Sequence, residues 1–250
     1  MKGYPFMQNK CAMFLLGSTL AFGLSASAYI ISQAAVKVTK NNNIRVKGSS
    51  MRIVESDFSH WDLSFDVTGK TQQDGLKNLE NARKIIEDYL KKEGIDSTEI
   101  SFGKIYMSKI FDSVKDEKGN TTSVFKEFSF SQSMKVSSPK VHLVEKLSRE
   151  STNLIKHGFD LNSDSPSYTI TDLDKYKMEL LAEATQNATD RAEVLAKHSK
   201  GKVGALLYAS QGIFQITAPA SSDISSYGEY DKTTIMKEVK AVVTLDFKVE

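Results

Sequence analysis

An uncharged run of 26 residues, from Cys11 to Val36, lies between Lys10 and Lys37 and constrains this chain more than any other feature. As an α-helix at about 1.5 Å per residue it would extend roughly 39 Å, more than the ~30 Å hydrocarbon core of a bilayer. The run therefore reads either as a transmembrane anchor or as a secretory signal peptide. Ala26-Ser27-Ala28 has the small-x-small form of a cleavage site, after a start made basic by Lys2 and Lys10. Apolar character resumes beyond it at Tyr29-Ile30-Ile31 and ends only at Ala35-Val36, which favours an uncleaved anchor over a cleaved, periplasmic form. Lys2 and Lys10 predict a cytoplasmic segment at 1–10, a bilayer contact through 11–36 and an exported domain at 37–250. Cys11 opens the apolar run instead of following it, so a lipoprotein anchor does not fit.

The exported part carries 31 basic and 31 acidic residues. That neutrality gives nucleic-acid binding no electrostatic support. Cys11 is the single cysteine, so the exported part can form neither an internal disulfide nor a cysteine-ligated zinc site.

Hydrophobic periodicity predicts strands at Ile44 to Gly48 and at Trp61 to Val67, the second with Trp61, Leu63, Phe65 and Val67 on one face. A helix follows, with Thr71 as cap, Leu76, Leu79, Ala82, Ile86, Tyr89 and Leu90 as its apolar stripe and Gly94 as its stop. Ile100 to Phe111 and Phe125 to Val136 read as a hairpin joined by the polar residues 112–123. Ser138-Pro139 reads as the start of a second helix with Leu143, Leu147, Leu154 and Ile155 buried before Gly158.

A short extended piece at Ser167 to Ile170 precedes what reads as the longest helix, opened by Thr171 and Asp174 and ending near Gly201. Its predicted stripe is Leu181, Ala184, Ala188, Ala192, Leu195 and Ala196. Val203 to Thr217 is strand-like, 218–234 is polar, and Val239, Ala241, Val243, Leu245, Phe247 and Val249 alternate with polar residues along a terminal strand that is a candidate sheet edge, the alternative being an interior strand paired on both sides. Helices alternating unevenly with hairpins predict an α+β fold, a mixed or antiparallel sheet packed with about three helices.

Catalytic patterns are sparse. His60, His142, His157 and His198 fall on different elements without metal-ligand spacing, and neither a nucleophile elbow nor a phosphate loop occurs. Glu80, Glu87, Asp88 and Glu93 fit a solvated helix face. Asn120-Thr121-Thr122 and Asn187-Ala188-Thr189 are glycosylation sequons by pattern alone. Ser210-Gln211-Gly212 offers a hydroxyl with no base nearby in sequence, and Gly212 suits a strand bend. No catalytic, cofactor-binding or metal-binding residue is expected.

Three patterns together resemble the bacterial SIMPL-domain family over about residues 40 to 250. They are Val46-Lys47-Gly48 followed by a strand with Trp61, Asn81 to Leu90 leading to Gly94-Ile95 and Glu99-Ile100-Ser101, and Glu183 to Ala196 followed by Lys202-Val203-Gly204 and Ala209 to Gly212. The resemblance is to the subgroup with an N-terminal membrane helix. It implies an α+β domain in the bacterial envelope, a single-pass inner-membrane protein with its body in the periplasm, self-assembly or binding to envelope proteins, and no established catalytic residues. The alternatives are a periplasmic ligand-binding module, or a hydrolase that uses scattered carboxylates near 218–234.

Overall fold

The computed structural model describes residues 6–39, 42–115, 121–221 and 228–250, with side chains from Met13 to Gln33 within the first helix. That helix, α1 (Phe6–Thr39), is the longest in the chain. Its segment Met13–Gln33 is apolar and long enough to cross a membrane, and none of it is buried.

The fold is α+β, as the alternation of elements predicts, with antiparallel pairing in both of its sheets where the register is described. Two compact units are present: 1–48 with 185–210 and 243–250, and 49–184 with 211–242.

The larger unit is built on β2 (Phe58–Gly69), which pairs with β4 (Thr121–Ser138), β5 (Asp160–Ser163) and β6 (Ser167–Thr169), while β3 (Ile100–Lys115) pairs with β4 at the edge. Trp61 sits opposite Val136, Leu63 opposite Met134 and Val67 opposite Phe130, so one face of the sheet is continuously apolar. Helix α2 (Gln72–Lys92) covers it with Leu79, Ala82, Ile86 and Leu90, joined by Val144 and Leu147 of α3 (Val141–Glu150). Burial of such side chains stabilises by about 1.5–3 kcal/mol each. The other face carries Asp62, Ser64, Asp66, Ser131, Ser133 and Lys135, and stays partly or fully exposed.

Thr71 accepts a hydrogen bond from the Asp74 N–H, which caps α2 as its sequence predicts. Gly94, at φ +103°, ends it, and the Ile95 N–H returns to the Leu90 carbonyl. Helix α3 departs from expectation at its start. Ser138 still belongs to β4, where its hydroxyl accepts from the Lys140 N–H and donates to Glu99, and Lys140 opens the helix without a side-chain cap. Ile155, expected in the core, is exposed, because the chain tightens into a 3-10 helix from Ser151 to His157 and rotates it outward.

Helix α4 (Leu173–His198) begins after Thr171, whose N–H and hydroxyl both bond the Asp57 carboxylate instead of capping the helix. In the larger unit its Leu180 and Ala184 are buried, and Arg52 of β1 (Asn43–Glu55) makes ion pairs of 2.5 Å with both Glu179 and Glu183.

In the smaller unit Ala188, Ala192 and Ala196 continue the buried stripe, but Leu195, expected beside them, is half exposed. The sheet there has the order β1, β9 (Met236–Val249), β7 (Val203–Gln211). The terminal strand is therefore interior, paired on both sides, and not the candidate edge. Buried Val243, Leu245 and Phe247 explain the choice, since an edge strand leaves such a face short of neighbours. In the larger unit β8 (Gln215–Thr217) pairs with β9, with Gln215 opposite Lys240.

Candidate functional site

Outside α1, exposed apolar side chains gather along the hairpin of β3 and β4. Near its base, Ile100 faces Val136 and Phe102 faces Met134 over the core. A bulge between Phe102 and Ile105 shifts the register, and beyond it every β3 side chain except the partly buried Ile110 is exposed. Tyr106 is 66% exposed, Phe111 53%, Val114 50% and Val124 50%. Phe111 and Phe125 meet edge to face at 6.1 Å, and Phe125 lies 5.0 Å from Phe128, so the arm orders itself by local aromatic contacts. Lys126 and Asp112 pair across it at 3.2 Å. In the smaller unit, β7 is also an edge strand, and its Leu206, Leu207 and Tyr208 are exposed.

A polar cleft of about 640 Å³ lies in the larger unit, lined by Glu145, Ser148, Arg149, Asp164, Tyr168 and Thr234 among others. Burial pushes the Tyr168 hydroxyl up, as does the charge of Glu145, while Arg149 opposes them.

Asp231 and Lys237 flank Thr233 and Thr234 of this cleft. Lys237 is entirely buried, its Nζ donating to the Thr234 carbonyl at 2.7 Å and lying 3.7 Å from Asp231 Oδ2. Burial would raise the Asp231 carboxyl, but hydrogen bonds from the Thr234 hydroxyl and from the N–H and hydroxyl of Thr233, with the charge of Lys237, hold it at about 2. Burial lowers the Lys237 ammonium, and Asp231 opposes that shift. The cleft can offer hydroxyls and carboxylates to a polar ligand. Periodicity foreshadowed the buried lysine, since Lys237 falls in phase with Val239, Ala241 and Val243.

The residues weighed for chemistry stay dispersed. His60 shares a 3.0 Å hydrogen bond with Ser137, His142 lies 2.6 Å from Glu55, and His157 and His198 sit in the last turns of their helices. Among the described residues no three His, Cys, Asp or Glu side chains converge into a metal-sized cluster. On α2, Glu87 lies near Arg83 and Lys91, and Glu93 reaches Lys146, while Glu80 and Asp88 are exposed. Gly212 sits just past β7, where its N–H donates to the Val242 carbonyl at 2.8 Å and a Cβ would lie 3.2 Å from that oxygen. Asn187 lies within α4, and Asn120 is outside the described residues.

Comparison with known proteins agrees with this architecture. The chain is similar to the 26 kDa periplasmic immunogenic proteins of Brucella melitensis biotype 1 and Brucella abortus strain S19, each 27% identical over 210 residues, 82% of this chain and 81% of the relative. Residues 44–247 match the pattern that defines SIMPL, described as a protein of unknown function (DUF541), and so span both sheets and α2 to α4. The chain belongs to the SIMPL family.

Proposed function

We propose that this chain is a membrane-anchored periplasmic protein of the bacterial envelope that works by binding protein surfaces, further copies of itself included, and not by catalysis. The observation that carries this reading is the β3–β4 arm, where Tyr106, Phe111, Val114 and Val124 expose apolar surface on an unpaired sheet edge. Apolar side chains exposed in this number on a two-stranded edge are unusual on a solitary soluble protein and suit a partner strand or sheet. Light scattering on the full chain in detergent tests it: the wild type should be a multimer, and Phe111→Ser/Val124→Ser a smaller species with unchanged melting. A wild-type monomer at high concentration overturns the reading.

The periplasmic relatives and the apolar helix support export and anchoring. Lys37, Lys40, Arg45 and Lys47 follow the apolar run, against Lys2 and Lys10 before it, so orientation calls for direct measurement. Protease added to spheroplasts should digest the body, and untreated cells should hold it in the membrane fraction. A protected body overturns export; a soluble body beginning at Tyr29 overturns the anchor. The polar cleft beside Lys237 favours a second reading, a module that binds a small polar ligand, and a monomeric wild type would move weight to it.

A further inference from the structure

In the smaller unit, Arg45, Val46 and Lys47 of β1 and Asn187, Asp190, Arg191, Val194 and Leu195 of α4 form a groove of about 540 Å³. Its apolar side is formed by Val194 and Leu195 of α4. Leu195 is in helical phase with buried Ala188 and Ala192 yet stands 50% exposed, next to Val194 at 57%, while Val46 of the groove is buried.

The rim is cationic. Arg191 Nη1 donates to the Lys47 carbonyl at 3.0 Å, and among the described residues neither Arg191 nor Lys47 has a carboxylate partner. Arg45 differs, since its Nε and Nη2 are spent on the buried carboxylate of Asp246. Asp190 is the groove's one acid, and its Oδ1 accepts from Gln186 Nε2 at 2.7 Å. Two unpaired cations above exposed aliphatic side chains complement a molecule with an anionic head and an apolar body.

The position of the groove in the chain selects among such molecules. The first carboxylate of the sequence is Glu55, and Lys37, Lys40, Arg45, Lys47 and Arg52 all fall between the apolar segment and that residue. Arg45 follows Gln33 by a stretch that spans at most about 40 Å even when fully extended, and roughly 30 Å with α1 helical to Thr39. A basic juxtamembrane stretch is attracted to anionic lipid headgroups.

We infer that the groove of Lys47, Arg191, Val194 and Leu195 is a headgroup site for an anionic phospholipid of the membrane that anchors the chain. The phosphate lies between Arg191 and Lys47, and the first acyl carbons lie on Val194 and Leu195. This rests on the anchored reading above.

The test uses the full chain in a nonionic detergent, given phosphatidylglycerol and phosphatidylcholine in equal amounts, with retained lipid counted by native mass spectrometry. Phosphatidylglycerol should be retained preferentially. Lys47→Gln/Arg191→Gln should reduce that preference roughly 25-fold, at roughly fivefold per cation, with unchanged melting. Lys47→Gln alone, which leaves the backbone carbonyl under Arg191 in place, should give part of the loss. Val194→Ser/Leu195→Ser should lower retention of both lipids.

Equal retention of the two lipids by the wild type overturns the proposal. So does a preference that survives Lys47→Gln/Arg191→Gln but is lost in Lys37→Gln/Lys40→Gln, which would assign the lipid to the flank of the helix. The anchor is judged separately, from the N-terminal residue of the membrane-bound chain, and the lipid preference in micelles does not depend on that result.

Discussion

Lys237 and Asp231 form a charged pair 3.7 Å apart in which the lysine side chain is wholly buried and the carboxylate is only 11% exposed. Each is held by more than its partner: the ammonium by the Thr234 carbonyl, the carboxylate by the hydroxyls of Thr233 and Thr234. A buried ion keeps its charge only when its remaining donors and acceptors are also met.

The depressed carboxyl makes stability depend on acid. Asp231 titrates at about 2 in the folded chain, against 3.8 for an ordinary aspartate. Its contribution, about 2 kcal/mol, is fully present above pH 3.8 and is lost as pH falls through 2. Urea unfolding should show the gap between wild type and Asp231→Asn narrowing from pH 6 to pH 2. A gap that does not change with pH would refute the assignment.

Substitution of one partner should cost more than substitution of both. Lys237→Met leaves Asp231 with only its threonine bonds, and Asp231→Asn leaves a buried ammonium facing a neutral amide. Each should destabilise by roughly 3–5 kcal/mol, while the double variant should fall well short of the sum. Additive losses in a double-mutant cycle would show that the two charges are not coupled.

Two adjacent leucines of α4 should behave differently. Leu180 is fully buried and Leu181 is intermediate, although Leu181 carries the periodic pattern in the sequence. An unpaired buried carboxylate costs several kcal/mol, a large share of the ~5–15 kcal/mol stability of a domain. Leu180→Asp should therefore abolish the cooperative melting seen by circular dichroism, as should Phe247→Asp on β9, whereas Leu181→Asp should only lower the melting temperature.

Gly75 tests how closely α2 rests on the sheet. A Cβ there would lie 2.3 Å from the Phe130 ring, and a Cβ on Gly69 would lie 2.3 Å from the Gly75 nitrogen. Gly75→Ala should cost about 1–3 kcal/mol through overpacking, despite the better helix propensity of alanine. A more stable Gly75→Ala variant in thermal unfolding would show that Phe130 moves aside freely.

Local signals carried well where the reason for them was local. Thr71, Asp74 and Gly94 bound α2 because a cap and a positive φ are properties of a few consecutive residues. Thr171 showed the same pattern, but Asp57, distant in sequence, took its hydroxyl. Gly201 follows α4 as expected, yet the left-handed residue is Lys200, and a Cβ on Gly201 would lie 2.7 Å from Val249. Of the candidate surfaces, the arm was legible only as a hairpin with apolar residues. Its exposure depends on where α2 stops covering the sheet.

By itself the sequence determined the apolar helix, the α+β class, the buried parity of β2 and β9 and membership in the SIMPL family, because periodicity and composition report which face of an element must leave water. Tertiary structure alone decided that β9 lies inside its sheet, that Asp231 is the carboxylate brought to the buried Lys237, and that Leu195 is left exposed in a cationic groove. Strand order and charge pairing join residues far apart in the chain, and no local pattern records which distant backbone or carboxylate will arrive.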